Sequence, residues 1–223
     1  MASQYRLLPL GRLGSGELVA LELDQFRGGP PGKVTWKVSP RLVALSGGGG
    51  RRVIQTYRTA SVERRSYVKG LAPLYRTARR DARALSGLSA IKLTEHLECE
   101  YLDACLGHRV SPGKREILLR PKGARKAVPV KIPPLFARHV NARPHLDLPE
   151  AWTLAAVRSF SLGGGRRAVV FTLGTGTDKN PCTFAADPKC QDDRRPLRRK
   201  PIAGMFHQPA LHHGHDFDVV IWR

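Results

Sequence analysis

Acidic residues and long apolar runs are both scarce in this sequence. No stretch approaches the roughly 18 consecutive apolar residues that a membrane-spanning helix needs, so we expect no membrane span.

The 223 residues include 38 lysines and arginines but 18 aspartates and glutamates, a formal charge of +20 at pH 7. A compact domain with this imbalance repels itself unless a polyanion neutralises it. Phosphate backbones do this well, because each neutralised phosphate releases condensed counterions. The composition therefore predicts a nucleic-acid partner; the alternatives are a basic protein without one, or one lying on an anionic membrane.

Cysteine is also rare, and no two cysteines have the CxxC spacing. The four cysteines form two sequence-local pairs, Cys99 with Cys105 and Cys182 with Cys190. In a basic intracellular protein free thiols are the usual state, and we expect the cytoplasm or the mitochondrial matrix as the compartment. The first sixteen residues contain two arginines and no acid, as an organelle-targeting leader does, but their leucines fit an ordinary first strand equally well.

Motifs that bind nucleotides or build a catalytic centre are missing. The segment from Gly28 to Lys33 is one residue too short for a phosphate-binding P-loop, lacks the following Ser or Thr, and contains two prolines. The other glycine clusters do not build a dinucleotide-binding fingerprint. Because no nucleophile lies beside a base in a known motif, we assign no catalytic residue and favour a non-enzymatic role.

Alternating apolar residues predict a mostly antiparallel β-sheet. Residues 17 to 38 have the pattern of a hairpin whose second strand carries Trp36 and Val38 on an apolar face and Lys37 on a cationic face. Further strands are predicted at 116–120 and 127–132, as a hairpin at 153–173 around three glycines, and at 217–221. Pro129 confines the strand at 127–132 to an edge or a bulge.

Two helices are predicted in the middle of the chain. Residues 71 to 85 have helical spacing and end near Gly87. Residues 94 to 107 carry apolar side chains at four-residue spacing, with Thr94 as N-cap, acidic residues near the positive end of the helix and Gly107 at its C-terminus. Together these segments predict an α+β fold: mostly antiparallel β-sheet with one or two central helices and long basic loops or arms.

Two regions are expected along the chain. Residues 1–176 would form an α+β RNA-binding domain with a helical segment inserted at about 58–107. Residues 177–223 would form an extended basic arm that ends in a β-strand.

Three basic segments are the candidate nucleic-acid contacts. The first combines cations for phosphates with tyrosines for stacking on unpaired bases, the second is a hairpin tip, and the third is a proline-bracketed arm that orders on a partner. The first consists of Arg58, Arg64, Arg65, Lys69, Arg76, Arg79, Arg80 and Arg83 with Tyr57, Tyr67 and Tyr75; the second of Lys114, Arg115, Arg120, Lys122, Arg125, Lys126 and Lys131; and the third of Arg194, Arg195, Arg198, Arg199 and Lys200. The alternative is a solvated basic surface whose tyrosines belong to the core.

Histidines gather near the C-terminus and carry the competing hypotheses. With the upstream thiols, the set is Cys182, Cys190, His207, His212, His213 and His215. Two thiolates and two imidazoles can hold zinc, but seven residues separate the two cysteines, which fits no compact zinc knuckle. We therefore assign no cofactor and keep zinc as the alternative. The same histidines would serve an endoribonuclease by general acid–base transfer.

Two known groups of RNA-binding proteins resemble this sequence in general pattern, although no diagnostic motif is shared. The glycine-rich hairpin at 163–165, with the basic helix at 71–83, resembles repeat-associated RNA-binding subunits of CRISPR complexes, and the small sheet with basic loops and proline–arginine arms resembles many ribosomal proteins. No residue role is transferred from either.

The leading hypothesis is a structural RNA-binding subunit of a ribonucleoprotein, of ribosomal or mitoribosomal type ahead of CRISPR-effector type, with RNA and other protein subunits as partners. A metal-dependent nucleic-acid enzyme and a basic viral genome-packaging protein are the alternatives.

Overall fold

The computed structural model describes residues 3–28, 35–47, 49–63, 67–98, 109–112, 116–120, 125–131, 153–174 and 216–223. Within these ranges the fold is α+β, as the sequence predicts, and consists mostly of strands with one helix. In chain order the elements are β1 (Ser3–Arg12), β2 (Leu18–Gly28), β3 (Thr35–Leu45), β4 (Arg51–Thr56), β5 (Ala60–Glu63), α1 (Tyr67–Arg83), β6 (Lys92–Glu98), β7 (Arg109–Pro112), β8 (Glu116–Arg120), β9 (Val128–Lys131), β10 (Thr153–Gly163), β11 (Arg166–Gly174) and β12 (Asp216–Trp222).

Nine strands form the main sheet, in the order β4-β3-β2-β1-β12-β11-β10-β6, with β5 also paired to β3. The pairing of β1 with β12 is parallel, and the other pairings in this sheet are antiparallel. The terminal strand β12 therefore lies in the interior of the sheet and joins the strands before α1 to those after it. Most of the predicted arm, residues 177–215, lies outside the described residues.

Helix α1 covers one face of the main sheet, and a small sheet with the order β7-β8-β9 covers the other. Adjacent residues Leu7 and Leu8 of β1 belong to the apolar clusters on opposite faces, as the alternation of side chains along a strand requires. On the helix side the buried residues are Leu8, Leu21, Leu23, Trp36, Val38, Val62, Leu71, Tyr75 and Ala78. On the other side they include Tyr5, Leu7, Ile117, Leu119, Val130, Phe171 and Phe217.

Asp218 ties four strands together where β1 meets β12. The parallel pairing is short, with two residue pairs, and the fully buried Asp218 follows directly after them. Its Oδ2 accepts the Leu7 N–H of β1 at 2.8 Å and Nη2 of Arg158 in β10 at 2.7 Å. Its Oδ1 accepts Thr172 Oγ1 of β11 at 2.7 Å and Arg6 Nη1 at 3.2 Å. One side chain thus supplies bonds that the short ladder lacks.

The charge of Asp218 is stabilised by these partners. Burial alone would raise the pKa of its carboxyl group, because the charged form loses water. The positive charges of Arg158 and Arg6, with the hydrogen bonds from Leu7 and Thr172, outweigh burial and hold the pKa below its ordinary value. Asp218 is therefore an anion in the folded protein at neutral pH.

The predicted hairpins are confirmed, and the first is longer than predicted. β2 and β3 pair in register from Leu18–Leu45 to Gly28–Thr35, so the apolar run at 42–45 continues the second strand. Pro40 does not interrupt β3, because it lies between the segments that pair with β5 and β4. The carbonyl oxygen of Pro40 points away from β2, towards β4 and β5, and accepts the Tyr57 N–H at 3.0 Å. The Pro40 nitrogen points the same way, so its missing N–H removes no hydrogen bond to β2.

Strands predicted between residues 116 and 132 are also confirmed. They form β8 and β9, which pair antiparallel with Leu118 opposite Pro129. β9 lies at an edge of the small sheet, as the proline requires.

The predicted helix at 94–107 is wrong over the part that the structure describes. Residues Lys92–Glu98 form β6, paired antiparallel with β10. Thr94 is not an N-cap: its Oγ1 donates to the Ser159 carbonyl at 3.0 Å, and Ser159 Oγ donates to Glu95 Oε2 at 3.1 Å. Four-residue spacing fits both the 3.6-residue turn of a helix and the two-residue period of a strand, so pairing with β10 decides the outcome. Residues 99–107 lie outside the described residues.

Candidate nucleic-acid interface

Helix α1 is held on the main sheet by a narrow apolar face. Leu71, Tyr75, Ala78 and Ala82 recur at intervals of four, three and four residues, and each is at most 3 % exposed. This spacing places the four side chains on one side of a helix. The helix predicted at 71–85 is therefore confirmed, and it begins earlier, at Tyr67.

The side of α1 away from the sheet is cationic. Lys69, Arg76, Arg79, Arg80 and Arg83 are all exposed. At about 100° per residue, Lys69, Arg76, Arg80 and Arg83 fall within an arc of about 60°, and with a rise of about 1.5 Å per residue they form a stripe about 21 Å long. We call these four residues the cationic face; Arg79 lies on its flank.

Most of this charge is not neutralised by acidic residues in the part of the chain that the structure describes. Arg80 Nη2 lies 3.3 Å from Asp81 Oδ1, and the Arg80 side chain is 77 % exposed, so this ion pair is weak. The other three members of the cationic face form no ion pair with an acidic residue in the described part of the chain. Asp81 itself faces inward and accepts the Tyr57 hydroxyl at 3.1 Å. The outward face is therefore free to meet an external anion.

Two of the three tyrosines predicted to stack on bases point inward. Tyr75 is 3 % exposed in the cluster beneath α1, and burial raises the pKa of its phenol. Tyr57 is half-buried, and burial together with the hydrogen bond to Asp81 raises the pKa of its hydroxyl. Neither ring is presented with the cationic face. Tyr67 is the first residue of α1, and its side chain lies outside the described part of the chain.

The structure brings only part of the predicted basic residues together. Arg58 is exposed after β4. The described members of the second basic segment, Arg120, Arg125, Lys126 and Lys131, are exposed in the small sheet, on the opposite face of the main sheet from α1. The remaining predicted residues lie outside the described residues: Arg64, Arg65, Lys114, Arg115, Lys122, Cys182, Cys190, Arg194, Arg195, Arg198, Arg199, Lys200, His207, His212, His213 and His215.

A second buried carboxylate, Glu22 in β2, was not anticipated from the sequence. Its Oε2 accepts the Tyr5 hydroxyl at 2.8 Å and Arg51 Nε at 2.7 Å, while its Oε1 accepts Arg51 Nη2 at 2.6 Å and Arg41 Nη1 at 3.3 Å. Burial, and then the negative charge of Glu22, raises the pKa of Tyr5 well above its ordinary value. The bond to Glu22 raises the pKa of Arg51.

Both buried carboxylates are structural. Each oxygen of Glu22 and of Asp218 already accepts two hydrogen bonds, and each carboxylate is paired with two guanidinium groups. Such charge-assisted hydrogen bonds organise the sheet and use both oxygens of each carboxylate. The sequence signal was an acidic residue with an apolar neighbour on each side within a strand: Glu22 lies between Leu21 and Leu23, and Asp218 lies between Phe217 and Val219.

Similarity to known proteins adds nothing to this description. No protein-family model, curated protein or solved structure matches the chain. Among the described residues, no group of three or more His, Cys, Asp and Glu side chains is arranged to hold a metal ion. In the same ranges, no helix is long and apolar enough to cross a membrane.

Proposed function

We propose that this protein is a structural RNA-binding subunit of a ribonucleoprotein assembly and that the cationic face of α1 docks it on RNA phosphates. The observation that carries the proposal is the pairing of a fully packed inner side with an outer side that exposes Lys69, Arg76, Arg80 and Arg83. A helix fixed in this way presents its charges at constant spacing, so little ordering is needed when RNA binds.

The chemistry of this face favours contact with the backbone over reading of bases. The exposed positions of α1 are lysine, arginine, glycine and proline, with no aromatic ring and no amide side chain among those described. Phosphate contacts position a protein without carrying sequence information. Double-helical RNA is recognised mainly through its shape, phosphates and 2′-hydroxyl groups, which suits a subunit that scaffolds folded RNA.

The experiment is sedimentation of the native protein with and without ribonuclease. We expect it to run in a large particle that ribonuclease dismantles, and sequencing of the RNA in that particle distinguishes ribosomal, mitoribosomal and CRISPR-effector assemblies. Migration of the protein alone, with no bound RNA, would overturn the proposal. Dismantling by deoxyribonuclease instead would assign the surface to DNA.

A pair of matched variants tests the role of α1. Arg76→Gln, Arg80→Gln and Arg83→Gln together remove three charges from the cationic face. Lys37→Gln, Arg120→Gln and Lys131→Gln remove three exposed charges from other surfaces and give the same net charge. We expect the first triple variant to leave the particle and the second to remain. Equal loss from both would show that total charge, and not α1, holds the protein on RNA.

A further inference from the structure

Several turns of the main sheet meet at one end of it. β1 and β12 both end there, since they are parallel, and the antiparallel pairings bring the turns 13–17, 46–50 and 164–165 to the same end. The chain leaving α1 arrives there too, where Ser89 exchanges backbone hydrogen bonds with Arg12 at 2.7 and 2.9 Å. We call this region the glycine end of the main sheet.

The glycine end is strongly basic. The segments that meet there, residues 12–17, 45–52, 83–92, 163–167 and 222–223, contain eight lysines and arginines and one acid, Glu17. Glu17 is already occupied: Ser15 Oγ donates to its Oε2 at 2.8 Å, and Arg52 Nη2 lies 3.2 Å from the same oxygen. Arg51 is paired with the buried Glu22. The six exposed or half-exposed cations left are Arg12, Arg83, Lys92, Arg166, Arg167 and Arg223, none of which forms an ion pair with an acidic side chain in the described residues.

These cations come from different turns that lie against one another. A Cβ placed on Gly16 would lie 3.1 Å from Arg166 Nη1, so the Arg166 guanidinium reaches over the β1–β2 turn. A Cβ placed on Gly163 would lie 3.9 Å from Arg12 Nη2, so Arg12 reaches towards the β10–β11 turn. Each of these two guanidinium groups thus lies over the turn of the other hairpin, and neither forms an ion pair with an acid in the described residues. An external anion between the two turns would be attracted to both.

The turns between these cations are rich in glycine. Gly164 and Gly165 have φ angles of 59° and 74°, a conformation that favours glycine, and a Cβ on either would meet nothing within 4 Å. Gly14 also faces open space. A sugar–phosphate backbone can therefore approach the main chain closely between the guanidinium groups.

The glycine end is joined to the cationic face of α1. Arg83 is the last residue of α1, and Gly87, just beyond it, lies against the β1–β2 turn, where a Cβ on Gly87 would be 3.9 Å from the Gly14 nitrogen. A polyanion that follows the outer side of α1 towards its C-terminus therefore reaches Arg12 and Arg166 next.

We propose that the glycine end of the main sheet is a second contact surface for the RNA phosphate backbone, continuous with the cationic face of α1. This inference rests on the proposed function, because it extends the same RNA along the protein. It assigns binding to Arg12, Arg166 and Arg167, which lie outside the three basic segments that the sequence singled out.

The test is the affinity for a 20-base-pair RNA duplex of arbitrary sequence, measured by fluorescence anisotropy over a series of salt concentrations that includes about 0.1 M. Arg166→Gln with Arg167→Gln removes two charges from the glycine end, and Arg120→Gln with Lys131→Gln removes two from the small sheet. We expect the first pair to weaken binding by about tenfold or more and to lower the salt-dependence slope by about 1.8, because each phosphate contact contributes about 0.9. The second pair should bind like the unsubstituted protein.

A second comparison adds charge without removing any side chain. Gly14→Asp places a carboxylate on the glycine end, and Gly14→Asn places a neutral side chain of the same shape there. We expect Asp to weaken binding at least fivefold relative to Asn. Unchanged RNA affinity of both Arg166→Gln/Arg167→Gln and Gly14→Asp would overturn the second contact surface and leave the proposed function standing. Equal loss of affinity in Arg166→Gln/Arg167→Gln and in Arg120→Gln/Lys131→Gln would do the same. Failure of the unsubstituted protein to bind the duplex would instead overturn the proposed function itself.

Discussion

Replacing Asp218 by Asn tests the junction between β1 and β12. Four donors converge on the two oxygens of Asp218: Leu7 N and Arg158 Nη2 on one, Thr172 Oγ1 and Arg6 Nη1 on the other. An amide keeps one oxygen and turns its NH₂ group towards two of these donors, whichever way it is rotated. Two hydrogen bonds are therefore lost, and two guanidinium groups lose their counter-charge.

The magnitude follows from the burial of the partners. The side chains of Asp218 and Arg158 are 0 % and 6 % exposed, so the unpaired Arg158 charge cannot recover its hydration. Removing one member of a buried ion pair typically costs about 3–5 kcal/mol of folding free energy. That is a large share of the roughly 5–15 kcal/mol by which proteins are stable, so we expect a large fall in the urea midpoint measured by circular dichroism.

Glu17→Gln is the matched control, because it also converts a carboxylate to an amide. The Glu17–Arg52 pair is exposed, with side-chain exposures of 23 % and 59 %, and we expect a loss of at most about 1 kcal/mol. If Asp218→Asn lay within about 0.5 kcal/mol of the unsubstituted protein, the structural role of this network would be refuted.

Acid should narrow the gap between Asp218→Asn and the unsubstituted protein. The pKa of Asp218 is lowered in the folded state, whereas the pKa of an aspartate in the unfolded chain is about 3.9. The stability that its charge supplies is therefore present above about pH 4 and is lost as the pH falls through the lower folded pKa. Below that point protonated Asp218 resembles Asn, so the two unfolding free energies should converge; a gap that stays constant down to the lowest pH at which both fold would contradict this.

Two further predictions concern α1 and the tyrosines. Gly70→Ala should lower the unfolding free energy, although alanine has the better helix propensity, because the new Cβ would lie 2.6 Å from Cγ1 of the rigid Val62. The control Gly14→Ala faces open space and should be neutral or stabilising. A gain in stability for Gly70→Ala would show that the contact with Val62 is easily relieved. Near pH 10.5, phenolate absorbance should be lower in the folded protein than in denaturant, because the pKa values of Tyr5, Tyr57 and Tyr75 are raised. Tyr57→Phe should leave the phenolate absorbance of the folded protein unchanged. A lower absorbance in this variant would contradict the raised pKa of Tyr57.

The local pattern of apolar residues was sufficient to predict a strand or a helix where their spacing fits only one of the two periods. The hairpins β2–β3 and β10–β11 combine alternating apolar residues with glycine turns, and α1 combines spacings of three and four residues. The pattern around Leu93 was not sufficient, because spacing of four alone satisfies both periods and only β10, some sixty residues away, decides between them.

Long-range contacts also explain what the sequence could not predict about the site. The shared side of the α1 arginines was predictable, because it follows from helical spacing alone. The inward position of Tyr75 depends on which side of α1 the sheet covers, and the Asp218 network joins residues that are up to 212 positions apart. The glycine end gathers turns from three hairpins, so neither its charge nor its position is visible in any one segment.

The salt dependence of RNA binding tests the central claim most directly. The affinity for an RNA duplex is measured over a range of salt concentrations for the unsubstituted protein, for Arg76→Gln/Arg80→Gln/Arg83→Gln, and for Lys37→Gln/Arg120→Gln/Lys131→Gln. If α1 docks on phosphates, removing its three arginines reduces the slope of log affinity against log salt by about 2.7, at about 0.9 for each lost contact, while the second triple variant keeps the original slope. Equal slopes for the unsubstituted protein and the α1 variant, with equal affinities, would contradict the account.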